Sequence, residues 1–253
     1  MKVKKRSQFH KLFLRNFRTT LTLIALPLLL MMCLLMFTLI RQRYQESRQR
    51  HEAAMVQALD VFEEVQKKQG NKGLRNAIEH IESCCPEDIE RFAKLGVVPS
   101  MQPIHSVLNI DGYPKLLGEK WRPYMWPVKS LIDAHAIPAF GTDAPVWNLN
   151  PMEGIYAALT RKQPWDGYPE GGFVPEQRIS LGEVLQGYTY GAARLENFED
   201  RIGTLHAGKL ADVVIMDRNL FAATPEEILK ASPLYTFIDG KVVYKADDAA
   251  LEQ

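Results

Sequence analysis

The sequence predicts an α/β protein behind an N-terminal transmembrane helix, and three observations carry that expectation. Between residues 76 and 195, short apolar runs of strand type alternate with amphipathic runs of helix type, which argues for a parallel sheet with crossover helices. Asp239-Gly240 separates Thr236–Ile238 from Lys241–Tyr244, a two-residue hairpin signal, so a small antiparallel β unit follows. Thr19–Ile40 carries no charge, and its 22 residues suit a helix across a hydrocarbon core of about 30 Å.

The chain of 253 residues is 46% hydrophobic and 24% charged, with a net charge of +1, a balance that points to no nucleic-acid partner. Cys33, Cys84 and Cys85 make no disulfide framework, and the absence of a CxxC pair argues against a cysteine zinc site. The basic residues are unevenly spread. Lys2, Lys4, Lys5, Arg6, Lys11, Arg15 and Arg18 precede the apolar run, whereas Arg41, Arg43, Arg48 and Arg50 follow it. The richer cluster is N-terminal, so the positive-inside rule places the N-terminus in the cytoplasm of a single-pass membrane protein that contacts lipid through residues 19–40. A cleaved signal peptide and a buried core helix are the alternatives.

Residues 1–18 are then a basic segment, 19–40 the span and 41–72 a helical stalk that merges into the first helix of the folded part. Ala54, Ala58, Val61, Phe62 and Val65 give the stalk a one-sided stripe. Asn76–Ile81 reads as a strand closing on Glu79-His80. Pro86 opens a helix with Glu87 and Asp88 in its first turn, where the dipole favours acids, and Gly96 stops it. Val97–Met101 is the next strand. A long loop rich in Trp, Tyr and Pro spans Ser106–Pro127, and a helix covers Val128–Ala136.

Ile137–Phe140 is the third strand. It stops at Gly141, presents Asp143, and is turned by Pro145. That geometry places a carboxylate at the mouth of a parallel sheet, where α/β barrels keep their chemistry. An acid that merely caps the next helix is the plainer alternative. Pro151–Thr160 is helical, and Ser180 with Glu183 forms a capping box for a helix running to about Leu195. Ile202–Lys209 reads as strand and turn, and Ala211–Met216 as a buried strand.

Four stretches resemble a known family: Ala77-Ile78-Glu79-His80; Pro86–Ala93 with Ser100-Met101-Gln102-Pro103; Phe140-Gly141-Thr142-Asp143-Ala144-Pro145; and Gly203-Thr204-Leu205 with Gly208-Lys209-Leu210-Ala211-Asp212. Together with Asp239–Tyr244 they look like the C-terminal part of a metal-dependent amidohydrolase of that superfamily's third group, related to N-substituted formamide deformylases. The resemblance implies the last strands of a (β/α)8 TIM-type barrel over 73–198, a remnant of a small β-sandwich over 199–246, and a tail over 247–253. It also implies a divalent metal, zinc by preference, that activates a water for attack on a C–N bond of a small amide substrate. By motif His80 matches a metal ligand. Asp143 matches a second ligand that is also catalytic, taking the proton from the water.

The departures from the family pattern set further expectations. The chain contains no His-x-His pair, and Arg48 stands where an earlier strand should bring a histidine. Half of the barrel is missing from the pattern, which implies impaired hydrolysis unless a second chain supplies that half. A catalytically inactive membrane-anchored fragment and a sensor or ligand-binding fusion are the alternatives. His105, in a Gln-Pro-x-His sequence at a strand end, is a candidate for substrate or metal contact, with an ordinary loop histidine as the alternative. His135 and His206 read as structural, and Glu79 as a salt-bridge partner. Trp121, Trp126, Trp147 and Trp165 either wall a pocket or pack the loops.

Overall fold

The computed structural model describes residues 28–42 and 55–247, within two compact units, Met1–Arg50 and His51–Gln253. In the first unit residues 28–42 are helical, with Arg41 in the last turn. At about 1.5 Å per residue the described stretch spans about 22 Å, against about 30 Å for a hydrocarbon core. Among the described residues no helix is long and apolar enough to cross a membrane. This corrects the transmembrane helix expected at 19–40, and with it the single-pass location. The apolar run is longer than the helix described within it, and hydropathy counts residues rather than helix length. Residues 1–27 and 43–54, which hold the basic segment, the start of that run and much of the stalk, lie outside the described residues.

The second unit opens with helix α1 (residues 55–69), whose Leu59 is fully buried in the core. Strand β1 (Ala77–Glu79) follows, then α2 (Pro86–Leu95) and β2 (Val98–Met101). Helix α2 is set by its ends: Pro86 starts it, Glu87 and Asp88 lie in the first turn, and Gly96 closes it at φ 68° in the left-handed region. Arg91 of α2 ties the two helices together, donating to Asp60 at 2.7 Å, Glu63 at 3.0 Å and Asp88 at 2.8 Å.

The stretch expected as a long loop is instead a series of short helical turns. A 3-10 turn at Pro103–Val107 precedes α3 (Gly112–Leu117), and a second covers Glu119–Tyr124. Pro103, Pro114 and Pro123, with Gly112 and Gly118, keep each piece short. Trp126 then enters the core, edge-on to Tyr113 at 4.5 Å and to Phe173 at 6.3 Å. Helix α4 (Val128–Asp133) leads to β3 (Ala139–Phe140).

Strands β1, β2 and β3 form a parallel sheet in that order, with Glu79 opposite Ser100 and Ser100 opposite Ala139. The crossover alternation is therefore as expected. Helix α5 (Pro151–Thr160) is capped by the Asn150 side chain, which accepts from the Met152 amide at 3.1 Å. Helix α6 (Leu181–Gln186) carries the complete Ser180–Glu183 capping box. It passes through a π turn at Gly187–Gly191 into α7 (Ala192–Leu195).

The π turn lies directly on β3, and its glycines permit that contact. A Cβ on Gly191 would stand 2.0 Å from the Pro138 carbonyl oxygen, and one on Gly187 would stand 2.2 Å from the Phe140 ring. At Gly191 the obstacle is backbone, so no side-chain rotation relieves it. Gly191→Ala is expected to lower unfolding free energy by about 1–3 kcal/mol or more, read as a shift in the urea midpoint at unchanged slope.

The remaining strands, β4 (Val213–Met216), β5 (Pro233–Ile238) and β6 (Lys241–Lys245), form an antiparallel sheet in that order. Asp239 at φ 50° and Gly240 at φ 73° make the expected two-residue turn between β5 and β6. Helix α8 (Pro225–Ile228), capped by Thr224 and Glu227, joins β4 to β5. Two expectations are corrected here. Ile202–Lys209 forms no strand, and β4 is not buried, since Val214 is 54% and Ile215 is 37% exposed. A continuous apolar run suggests cover on both faces, but β4 is an edge strand of a three-stranded sheet. The observed architecture is thus a mixed α/β fold with one parallel and one antiparallel sheet.

Candidate metal centre

Three parallel strands point their C-terminal ends at one place. The amide of His80 donates to the Ser100 carbonyl at 2.8 Å, prolonging the β1–β2 ladder by one residue. The backbone then leaves the strand through two left-handed residues, His80 at φ 69° and Ile81 at φ 45°. At the end of β3 the Gly141 amide donates to the Met101 carbonyl at 3.2 Å. Asp143 follows at φ 58°, a conformation that Asp tolerates better than most residues. Its carbonyl accepts from Val146 at 2.7 Å and closes the turn. From β2 the chain passes into the 3-10 turn that carries His105.

The consequence is a cluster. His80, His105 and Asp143 each offer a ligand atom, and these atoms lie within 4.8 Å of one another. His80 is exposed, whereas His105 and Asp143 are half-buried. The two imidazoles stack at 6.0 Å between ring centroids and 21° between planes. Burial pushes the His105 imidazole below its usual pKa; the Asp143 carboxylate opposes that shift and His80 adds to it. A neutral ring keeps a lone pair for a metal.

The donor set fits a divalent metal. Two imidazoles and a carboxylate are the ligand types zinc accepts, and their spacing is near the span one ion bridges with bonds of about 2.0–2.2 Å. His105 adds an observation of its own: its Nε2 is buried and has no hydrogen-bond partner among the described residues. A buried nitrogen of that kind costs free energy unless something engages it.

The sequence singled out His80, Asp143 and His105, and the fold brings all three together. His135 and His206 stand apart and exposed: His135 follows α4, and His206 sits 3.1 Å from the Thr204 hydroxyl. Glu79 is exposed at the end of β1. The tryptophans divide. Trp126 packs in the core and Trp121 stands against Tyr124 at 6.4 Å. Trp147 and Trp165 pair at 6.0 Å, Trp147 lying four residues beyond Asp143.

Two positioning residues were not singled out. Glu153, in the first turn of α5, accepts from the Trp147 indole at 2.6 Å and the Asn148 amide at 2.8 Å, which holds the loop after Asp143. Gln102 lies 2.9 Å from His80 Nδ1. The signal for Gln102 was its place in Gln-Pro-x-His; for Glu153 it was only an acid near a helix start.

Comparison with known proteins agrees with this geometry. The pattern of the amidohydrolase family matches residues 48–244. Protein LONG AFTER FAR-RED 3 of Arabidopsis thaliana is 35% identical over 188 residues, which are 74% of this chain and 31% of that protein. The N-substituted formamide deformylase of Arthrobacter pascens is 25% identical over 188 residues, covering 74% of this chain and 34% of that protein. The crystal structure of an uncharacterized metal-dependent hydrolase from Pyrococcus horikoshii OT3 superposes with a TM-score of 0.56 at 27% identity, over 69% of this chain and 33% of that one. The chain thus spans about a third of the length of the curated relatives it matches. With a family pattern running through both sheets and the strand ends between them, the chain belongs to the amidohydrolase family.

Proposed function

We propose that His80, His105 and Asp143 hold a divalent metal of the zinc class, and that the site serves hydrolysis of a non-peptide C–N bond in a small amide, formamides included. The observation that carries this reading is the convergence of the three side chains within 4.8 Å at the exits of three adjacent parallel strands. A metal there would supply a water acidic enough to attack a carbonyl near neutral pH. His80 and His105 contribute neutral nitrogens. Asp143 contributes a carboxylate that both binds and accepts the proton of the attacking water, because one of its oxygens stays available when the other is engaged. The Val146–Asp143 turn and the Glu153 anchor fix where that carboxylate points.

The partner reading also belongs here. Among the described residues strands β1 and β3 are the edges of the parallel sheet, and edge strands present backbone groups that another strand can pair with. Further polypeptide seated against those edges would wall the open side of the metal centre. This is the route by which the chain would reach full hydrolytic activity.

The test is metal analysis of the purified full chain after dialysis against a small excess of zinc. The expected result is one zinc per chain, with formamide hydrolysis that stops on chelation and returns with zinc. Protein that retains no zinc sinks the reading. Stoichiometric zinc without hydrolysis, alone or with added relatives' N-terminal segments, leaves a metal site and removes the amide chemistry.

A further inference from the structure

We infer that Gln102 is a positioning residue that fixes His80 as its Nδ1–H tautomer, leaving the Nε2 lone pair for a metal; the inference rests on the metal reading of the His80–His105–Asp143 cluster.

The juxtaposition starts in the sheet. Gln102 directly follows β2, and His80 directly follows β1, the strand paired to it in parallel register. Glu79 faces Ser100 across that pair, so the two exits lie side by side. His80 leaves in the left-handed conformation and Gln102 leaves extended, at φ −115° and ψ 100°. Their side chains meet with Gln102 Oε1 at 2.9 Å from His80 Nδ1. An amide oxygen only accepts, so in this pairing the ring nitrogen facing it carries the hydrogen. The lone pair then belongs to Nε2.

Three further observations make Gln102 suited to this task. It is 6% exposed, so little water competes for its oxygen and the bond is strong for a neutral pair. Its side chain lies among Met101, Ser106, Trp126 and Phe140, with which it lines a small apolar cavity. Its own carbonyl accepts from the His105 amide at 2.9 Å, so one residue holds both histidines of the cluster. The stacked His105 ring limits rotation of His80 from the other side. His80 is itself exposed, and an exposed imidazole without such a partner would sample both tautomers and several ring orientations. Outer partners of metal-bound histidines commonly change affinity by about 10–100-fold.

The test uses the full chain labelled with 15N-histidine and stripped of metal by chelator, read by long-range 1H–15N correlation above the histidine titration range. The expected result is an Nδ1-protonated pattern for His80, assigned by its loss in His80→Gln. Gln102→Met should give an averaged tautomer and a fall of about 10–100-fold in zinc affinity, whereas Gln102→Glu, an acceptor when ionised, should keep the tautomer. If Gln102→Met does not fold, the wild-type and Gln102→Glu spectra decide alone. An Nε2-protonated or averaged His80 in the wild type, a tautomer flip in Gln102→Glu, or an unchanged tautomer in folded Gln102→Met overturns the inference. A correct tautomer in a protein that binds no zinc would leave the inference standing and remove the metal reading.

Discussion

Asp143→Asn and His105→Phe are each expected to lower zinc affinity by at least about 100-fold while leaving the fold intact. The direct ligands should lie at or beyond the upper end of the 10–100-fold range known for their outer partners. Asparagine keeps the left-handed backbone at φ 58° that Asp143 adopts, so the variant removes charge without adding strain. Phenylalanine keeps a flat ring against His80 but removes the buried Nε2 that has no hydrogen-bond partner among the described residues. Its unfolding free energy should stay within about 1 kcal/mol of the parent or rise, because an unsatisfied buried nitrogen costs about 1–3 kcal/mol. Competition with a chromophoric chelator measures the affinity, and urea denaturation of metal-free protein measures the stability. An ordinary loop histidine predicts the opposite result, unchanged zinc affinity in His105→Phe. That outcome would remove His105 from the ligand set.

Arg161→Met is expected to cost about 2–5 kcal/mol of unfolding free energy, far more than a typical surface substitution. Arg161 is only 1% exposed. Its guanidinium donates to the Phe173 carbonyl at 2.8 Å, the Trp126 carbonyl at 3.3 Å and the Met125 carbonyl at 3.2 Å. Burial pulls its pKa down to about 9, with Glu176 opposing and Arg178 reinforcing the shift, so it stays charged at neutral pH. Methionine fills similar space and accepts the same φ of 58° no worse than arginine does. The loss therefore falls on the acceptors. The Trp126 carbonyl also accepts from Val128 at 2.8 Å, which leaves the Met125 and Phe173 oxygens to be stranded, at about 1–3 kcal/mol each. Replacing a buried charge by an apolar side chain can be neutral when its partners are removed too; here the partners are backbone and remain. Guanidinium denaturation of the metal-free variant reads the effect.

What the sequence made legible was local chemistry. Pro86 and Gly96 bracket α2, Ser180 with Glu183 starts α6, and Asp239-Gly240 turns β5 into β6, because each motif satisfies or shapes its own backbone. Apolar runs were less informative. The run at 19–40 suggested a span, yet among the described residues no helix is long and apolar enough to cross a membrane. The run ending at Met216 suggested burial, yet its central side chains are exposed. A run states that a segment is apolar, not what covers it. At the centre itself, motifs pointed to His80 and Asp143, whereas His105 stayed open between two readings. What brings it beside the other two is the register of β2 between β1 and β3, a non-local fact that no spacing along the chain encodes. Gln102 was hidden for the same reason, since its partner lies 22 residues away.

The π turn at Gly187–Gly191 carries a consequence for insertions and deletions. A π turn holds one residue more than the α-helical turn it replaces. Because that extra residue is taken up within one turn, removing Thr189 would let α6 and α7 fuse into one regular helix with the side chains of α7 close to their present directions. Ala193, which stands 2.7 Å from where a Cβ on Gly203 would lie, would keep that place, and the change would fall on the wide turn itself, where Gly187 and Gly191 meet β3. The segment is therefore more tolerant in length than at its two glycines: the chain should accept the loss of the exposed Thr189 better than a side chain at Gly191.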